Sequence, residues 1–228
     1  ERETDKMPTT IYDVESLYAE EIERREEYIK KFYEEHSGID ANDWLSWVIH
    51  ATDMFIVEVL GKARKSVIAG YHWFEEWGRD AFISLPGLML VTGRFKDARQ
   101  TFLTFNEYSA GGLIPNLISD WNAQSVYNAV DVTLWYVNAV SHYLKYTGDF
   151  EFVLKNLWEN FRAMVENLVK GVYGKMRVDD DGLLLHGPQL TWMDTVVDGQ
   201  PVTPRAGKAV EVQALWYNAL KTLELLAK

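Results

Sequence analysis

The sequence predicts a mainly helical protein built from helix hairpins, set as an α-toroid or solenoid whose long connections gather at one end. Three observations carry that expectation. Apolar residues recur at helical spacing in stretch after stretch of the chain. The connections between those stretches alternate between short and long, as in stacked helix pairs. Trp, Asp and Arg concentrate in the connections, which an ordinary helical bundle does not require. No repeat of fixed period is visible.

Ile11 to Glu35 reads as the first helix. Val14, Tyr18, Ile22, Ile29, Phe32 and Tyr33 form its stripe, and the remaining face is dense with Glu, Arg and Lys that suit a solvated surface with i,i+4 pairs. Gly38 ends it, and Asp43 is placed to cap a second helix through Trp44, Trp47, Val48 and Ala51. Phe55 to Leu60 and Ser66 to Ile68 are β-prone and flank a Gly61-Lys62 turn, predicting a small hairpin. Helical spacing resumes over Asp80 to Val91, where Pro86 should end or kink the helix. Phe95 to Glu107 is a further helix, followed by a loop opened by Gly111-Gly112. Val130 to Tyr146 and Phe150 to Val169 are two more, with Gly148 and Gly171 as stops. From Gly171 to Lys208 the chain turns to short strands and turns, and Glu211 to Ala227 returns to helix.

At 228 residues the chain can bury a sizeable core. Its net charge of −11 argues against a nucleic-acid partner, since little would neutralise a phosphate backbone. No apolar run reaches membrane-spanning length and no signal peptide is evident, so a cytoplasmic location is the default. Zero cysteines exclude disulfides and thiol chemistry. No metal site is predicted: the five His are scattered, and the Asp179 to Gly182 run lacks the ligand spacing of a calcium loop. No cofactor motif appears either. Nine Trp among a 14% aromatic share favour a ligand with flat apolar faces.

The stretch AGYHWFEEWGRDAFISLPGL, Ala69 to Leu88, sets Tyr71, Trp73 and Trp77 among Glu75, Glu76, Arg79 and Asp80. A core helix needs no such charges among bulky rings. A sugar pocket does: pyranose faces stack on aromatics, and hydroxyl rims take carboxylates and a guanidinium fork. The structural alternative is a helix N-terminus, with Asp80 in the first turn and Trp77 as a hydrophobic staple. A second cluster runs through Thr191-Trp192-Met193-Asp194, then Arg205 to Lys208 and Glu211. Beside Trp192 and Met193 the Asp194 carboxyl is expected to be partly desolvated, which raises its pKa as a general acid needs. A cap or turn Asp, and a dipole-stabilising Glu211, are the plainer readings.

WFEEWGRDAFISLPGL, GGLIPNL, YNAVDVTLWY, DGLLLHGPQLTWMD and VTPRAGKAVEVQALWYNAL occur in the order found in the glucosidase domain of glycogen-debranching enzymes. Over roughly Ile68 to Lys228 the chain resembles that amylo-α-1,6-glucosidase family. The resemblance implies an (α/α)6 toroid, here about half the ring, with a small hairpin and long active-site loops. It implies hydrolysis of α-1,6-linked glucose at branch points of glycogen or branched maltooligosaccharides, with inversion. On the family's motif Asp194 matches the general acid. Arg79 and Asp80 match the pair that grips the terminal glucose, with Trp77 and Trp192 as walls. Tyr127, Asn128, Asp131, Arg205, Lys208 and Glu211 are implied further contacts.

The whole chain reads as one such domain behind a flexible tail, residues 1–10. It begins without Met, and its last helix lacks a Gly or Pro stop. The family's general base belongs to a later block, so the chain is expected to be inactive alone. Glu75, Glu76, Asp80 and Glu211 are weak substitutes for that base. Unpartnered helix flanks predict self-association. A glucoamylase- or trehalase-like hydrolase of the same architecture, and a non-catalytic oligosaccharide-binding module, are the alternatives.

Overall fold

A computed structural model describes residues 13–58, 64–72, 74–119 and 124–228. The predicted tail, Trp73 and the Gly61-Lys62 turn lie outside the described residues. The chain divides into two compact units, Glu1–Ala51 and Thr52–Lys228.

In the first unit, α1 (Val14–Glu35) starts later than periodicity alone indicates. The Asp13 carboxylate accepts hydrogen bonds from the Glu15 and Ser16 amides and fixes the helix start there. The cap of α2 (Asp43–Met54) is Asn42 rather than Asp43, its Oδ1 accepting from the Leu45 amide at 3.0 Å. Tyr33 ties the two helices together through the Asn42 carbonyl and the Ser46 hydroxyl. Phe32 and Ile49 are buried, whereas Val14, Tyr18, Ile22, Trp44, Trp47 and Val48 of the predicted stripes are exposed.

The second unit opens with the expected hairpin, β1 (Ile56–Glu58) against β2 (Lys65–Val67), in the register Ile56 opposite Val67. β3 (Glu76–Trp77) leads directly into α3 (Gly78–Leu85). Pro86 ends α3 at Leu85, as expected, but the helical path continues. The proline lacks the N–H that an α-helical ladder would use, and the path widens into a single π turn, Pro86–Leu90. The Val91 amide donates to the Pro86 carbonyl and the Arg94 amide to that of Met89, each five residues back. α4 (Phe95–Glu107) follows. β4 (Leu117–Ile118) and β5 (Ser125–Val126) then join β3 in a three-stranded antiparallel sheet that the sequence did not reveal.

α5 (Asp131–Thr147) is the spine, packed by α3 and α8. The predicted single helix after Gly148 is two, α6 (Phe150–Asn156) and α7 (Trp158–Lys170). The break needs neither Gly nor Pro: the Asn156 side-chain amide donates to the Phe152 carbonyl at 2.7 Å, competing with the helical ladder, while Leu157 is fully buried. Two further hairpins, β6 (Met176–Val178) with β7 (Leu184–His186) and β8 (Val196–Val197) with β9 (Gln200–Pro201), precede α8 (Val210–Leu226).

The core is aromatic at its centre. Phe82 of α3 meets Phe105 and Tyr136 edge-on, both at 4.8 Å between centroids, and Tyr136 also meets Phe102 and Phe161. Each such pair contributes about 0.5–1.5 kcal/mol beyond area burial. The buried Tyr136 hydroxyl donates to the Phe102 carbonyl. The architecture is mainly helical, with helix hairpins and small antiparallel sheets, and the described residues do not close a barrel. No helix among the described residues is long and apolar enough to cross a membrane.

Candidate active site

Gly78 seats the site. A Cβ on it would lie 2.3 Å from the Pro115 carbonyl oxygen and 2.8 Å from a Val132 methyl, so only glycine allows so close an approach. Its amide donates to the Asn116 carbonyl at 3.0 Å. That contact draws the WGRD segment, the Gly112 to Leu117 loop and the start of α5 into one place. Arg79 and Asp80 then fall in the first turn of α3, with Trp77 as the residue before it.

The Arg79 guanidinium makes a bidentate pair with Asp131, Nε to Oδ2 at 2.8 Å and Nη2 to Oδ1 at 2.9 Å. Both side chains are largely buried, at 13% and 4% exposure. Burial pulls the Arg79 pKa down, but hydrogen bonding and charge from Asp131 outweigh it and hold it above its ordinary value, with Asp194 and Asp80 adding to that effect. Arg79 is therefore a fixed cation surrounded by three carboxylates.

Asp194 arrives on the loop after β7. The Val130 amide, just before α5, donates to the Leu190 carbonyl at 2.8 Å and pins that loop to the same end of α5. As a result Asp194, Trp77, Arg79 and Asp80 line one cavity of about 260 Å³, together with Ala69 and Phe74. Phe74 was not singled out in the sequence, although it stands inside the aromatic-acidic stretch. A second, more apolar hollow of about 380 Å³ shares Ala69, Arg79 and Asp80 and is otherwise walled by residues such as Phe55, Ile68, Ile83 and Leu88.

The remaining sequence-predicted residues are placed differently. Arg205 stacks over the exposed Trp192 ring at 5.4 Å, pairs with Glu211 at 2.6 Å and donates to the Thr191 hydroxyl. These form a cluster of their own, and Trp192 does not line the 260 Å³ cavity. Asp131 stands behind Arg79 as its partner. The Tyr127 hydroxyl donates to the Tyr108 carbonyl at 2.5 Å, and Asn128 accepts from Asn116. Lys208 bridges Asp179 and Asp181 at 2.8 and 2.6 Å, closing the DDDG turn. Of the acidic residues beside WGRD, Glu76 is buried and receives the Ser66 hydroxyl, and Glu75 receives that of Ser119. Among the described residues no group of three or more His, Asp or Glu could hold a metal ion.

Comparison with known proteins gives the same direction. Residues 50–228 match the family model described as amylo-alpha-1,6-glucosidase. That segment coincides with the second compact unit to within two residues at its start. A glycogen debranching enzyme of Saccharomyces cerevisiae is 28% identical over 202 residues, covering 64% of this chain and 13% of the yeast protein. The chain thus spans about an eighth of the length of that relative. With the match extending over most of its length, the chain belongs to the amylo-alpha-1,6-glucosidase family.

Proposed function

We propose that the chain forms the sugar-gripping and acid half of a glycosidase site that releases α-1,6-linked glucose from branch points of glycogen or branched maltooligosaccharides. The observation that carries this reading is the convergence of Trp77, Arg79, Asp80 and Asp194 on one cavity from segments more than a hundred residues apart. Its volume of about 260 Å³ lies just below the about 300–1,000 Å³ of drug-sized ligand clefts and suits a single hexose. Family membership supports the substrate class. It also favours reading the helix hairpins as segments of an (α/α)6 toroid.

In this mechanism Trp77 offers a flat apolar wall to the pyranose. Arg79, clamped by Asp131, presents its remaining N–H groups to ring hydroxyls, and Asp80 accepts from them. Asp194, half-buried at the cavity wall, protonates the departing glycosidic oxygen. Inversion also requires a carboxylate about 6.5–9.5 Å across the ring to activate water. Asp131, Glu76 and Glu211 are already bound by Arg79, Ser66 and Arg205, so none of them is assigned that role. On this reading the chain alone binds sugar without turning it over.

Two substitutions test the assignment. Asp194→Asn in the intact protein should lower glucose release from a branched limit dextrin by about 10²–10⁴-fold while isomaltose binding is retained. Arg79→Ala should weaken isomaltose binding to the chain by about 1.5–3 kcal/mol, because it removes charge-assisted hydrogen bonds made to the bound ring. Undiminished turnover in the first variant would remove Asp194 from its role, and unchanged calorimetric binding in the second would remove Arg79.

A further inference from the structure

The cavity shared by Arg79 and Asp194, about 260 Å³, suits one hexose, so the second ring of a disaccharide has to lie at its mouth. Of the side chains that line it, Trp77, Arg79 and Asp194 are partly buried, whereas Phe74 and Asp80 are exposed and so form the rim. Asp80 is a hydrogen-bond acceptor. Phe74, 52% exposed, has no hydrogen-bonding group in its side chain and offers only a flat apolar face.

That exposure does not come from a loose loop. The Phe74 amide donates to the Gly70 carbonyl and the Ala69 amide to the Glu75 carbonyl, each at 3.2 Å, so the turn is closed on both sides. Gly70 lets the ring lie close over the backbone: a Cβ there would stand 3.2 Å from Phe74 Cδ2. Around the turn, the Tyr71 hydroxyl donates to the Met54 carbonyl at 2.6 Å, the Ser119 hydroxyl to Glu75 at 3.3 Å and the Ser66 hydroxyl to Glu76. These bonds hold a large apolar ring half in water at the cavity edge, a position that becomes favourable when another apolar surface covers it. We infer that Phe74 is the stacking contact for the sugar on the leaving side of the scissile bond, and so selects glucose attached to a further glucose over glucose attached to a small group. The inference rests on the reading of Arg79, Asp80 and Asp194 as the grip on the first ring. An α-1,6 link runs through an exocyclic methylene and has one more rotatable bond than a link to a ring carbon. The second ring can therefore turn its C–H face onto Phe74 while the first stays in the cavity.

Isothermal titration of the full chain with isomaltose and with methyl α-glucoside tests it, since the two share the first ring and differ in the second. Phe74→Ala should weaken isomaltose binding by about tenfold and change methyl α-glucoside binding by less than about twofold, the latter also showing that the cavity is still folded. Phe74→Leu, apolar but not flat, should lose isomaltose affinity by about threefold or more, and Phe74→Tyr should keep it to within about twofold. Arg79→Ala should weaken both ligands. Unchanged isomaltose affinity in Phe74→Ala or Phe74→Leu, or equal loss of both ligands in these two variants, overturns the assignment of Phe74 and leaves the reading of Arg79 standing. Affinity for both ligands that Arg79→Ala leaves undiminished overturns that reading and this inference with it.

Discussion

Asp131 and Arg79 lie 52 positions apart, yet their bidentate pairing fixes the guanidinium that lines the candidate cavity. With both side chains nearly out of water, the charge of each is tolerable only because the other is present. Removing one partner leaves a buried charge without compensation, at a cost of about 3–5 kcal/mol. Asp131→Ala should therefore lower unfolding free energy by that amount in urea titrations, and isomaltose binding should fall with it as the fork loses its aim. A loss below about 1 kcal/mol, the level of an exposed pair, would contradict the account. Lys208 allows a different test. Hydrogen bonds from Lys208 and then Arg177 hold the Asp179 carboxyl down at about 2, against its ordinary 3.8. Since this folded-state value is depressed, the stabilisation is present above 3.8 and disappears as pH falls through about 2. Lys208→Ala should move the Asp179 midpoint upward toward 3.8 in a carboxyl NMR titration. An unmoved midpoint would show that the bridge does not form in solution.

At the scale of elements, the junction from β3 to α3 decides whether the candidate cavity exists. Gly78→Ala would drive a methyl into the Pro115 carbonyl, which belongs to the backbone and cannot swing aside. Overpacking of this kind costs about 1–3 kcal/mol. The variant should show that loss in chemical denaturation together with weakened sugar binding, whereas a neutral outcome would mean the loop is free to retreat. The same junction marks the limit of what the sequence discloses. α4 and α5 are legible because thirteen and seventeen residues repeat the helical period several times and Gly148 ends the second. β3, β4 and β5 are two residues each, too short to display any period, so the sheet joining WGRD to the 111–130 loops stayed hidden. Pro86 ends α3 as its missing N–H indicates, but that same loss gives no sign that a π turn carries the path onward. Trp77, Arg79, Asp80 and Asp194 could be picked out by residue type. That Asp131 clamps Arg79, and that Lys208 belongs to the DDDG turn, are facts of tertiary pairing that no local pattern encodes.

For the molecule as a whole, the placement of the core makes a claim about what folding requires. The large apolar cluster runs from Val67 to Leu226, and every residue of the candidate cavity falls in the same unit, Thr52–Lys228. The first unit buries Phe32 and Ile49 but leaves Val14, Tyr18 and Trp47 largely in solvent, so it adds little apolar burial of its own. Hydrophobic burial dominates the favourable side of folding, and the stability of this chain should therefore reside in the second unit. A chain of residues 42–228, which keeps α2 with its Asn42 cap, is expected to unfold in one cooperative calorimetric transition. Its midpoint should stay within about 4 °C of that of the full chain, the shift that roughly 1 kcal/mol produces in a domain of this size. Isomaltose affinity should be the same in both. Loss of the cooperative transition on removing α1 would mean that the first unit supplies stabilisation which the buried surface does not account for, and the core as described would be incomplete.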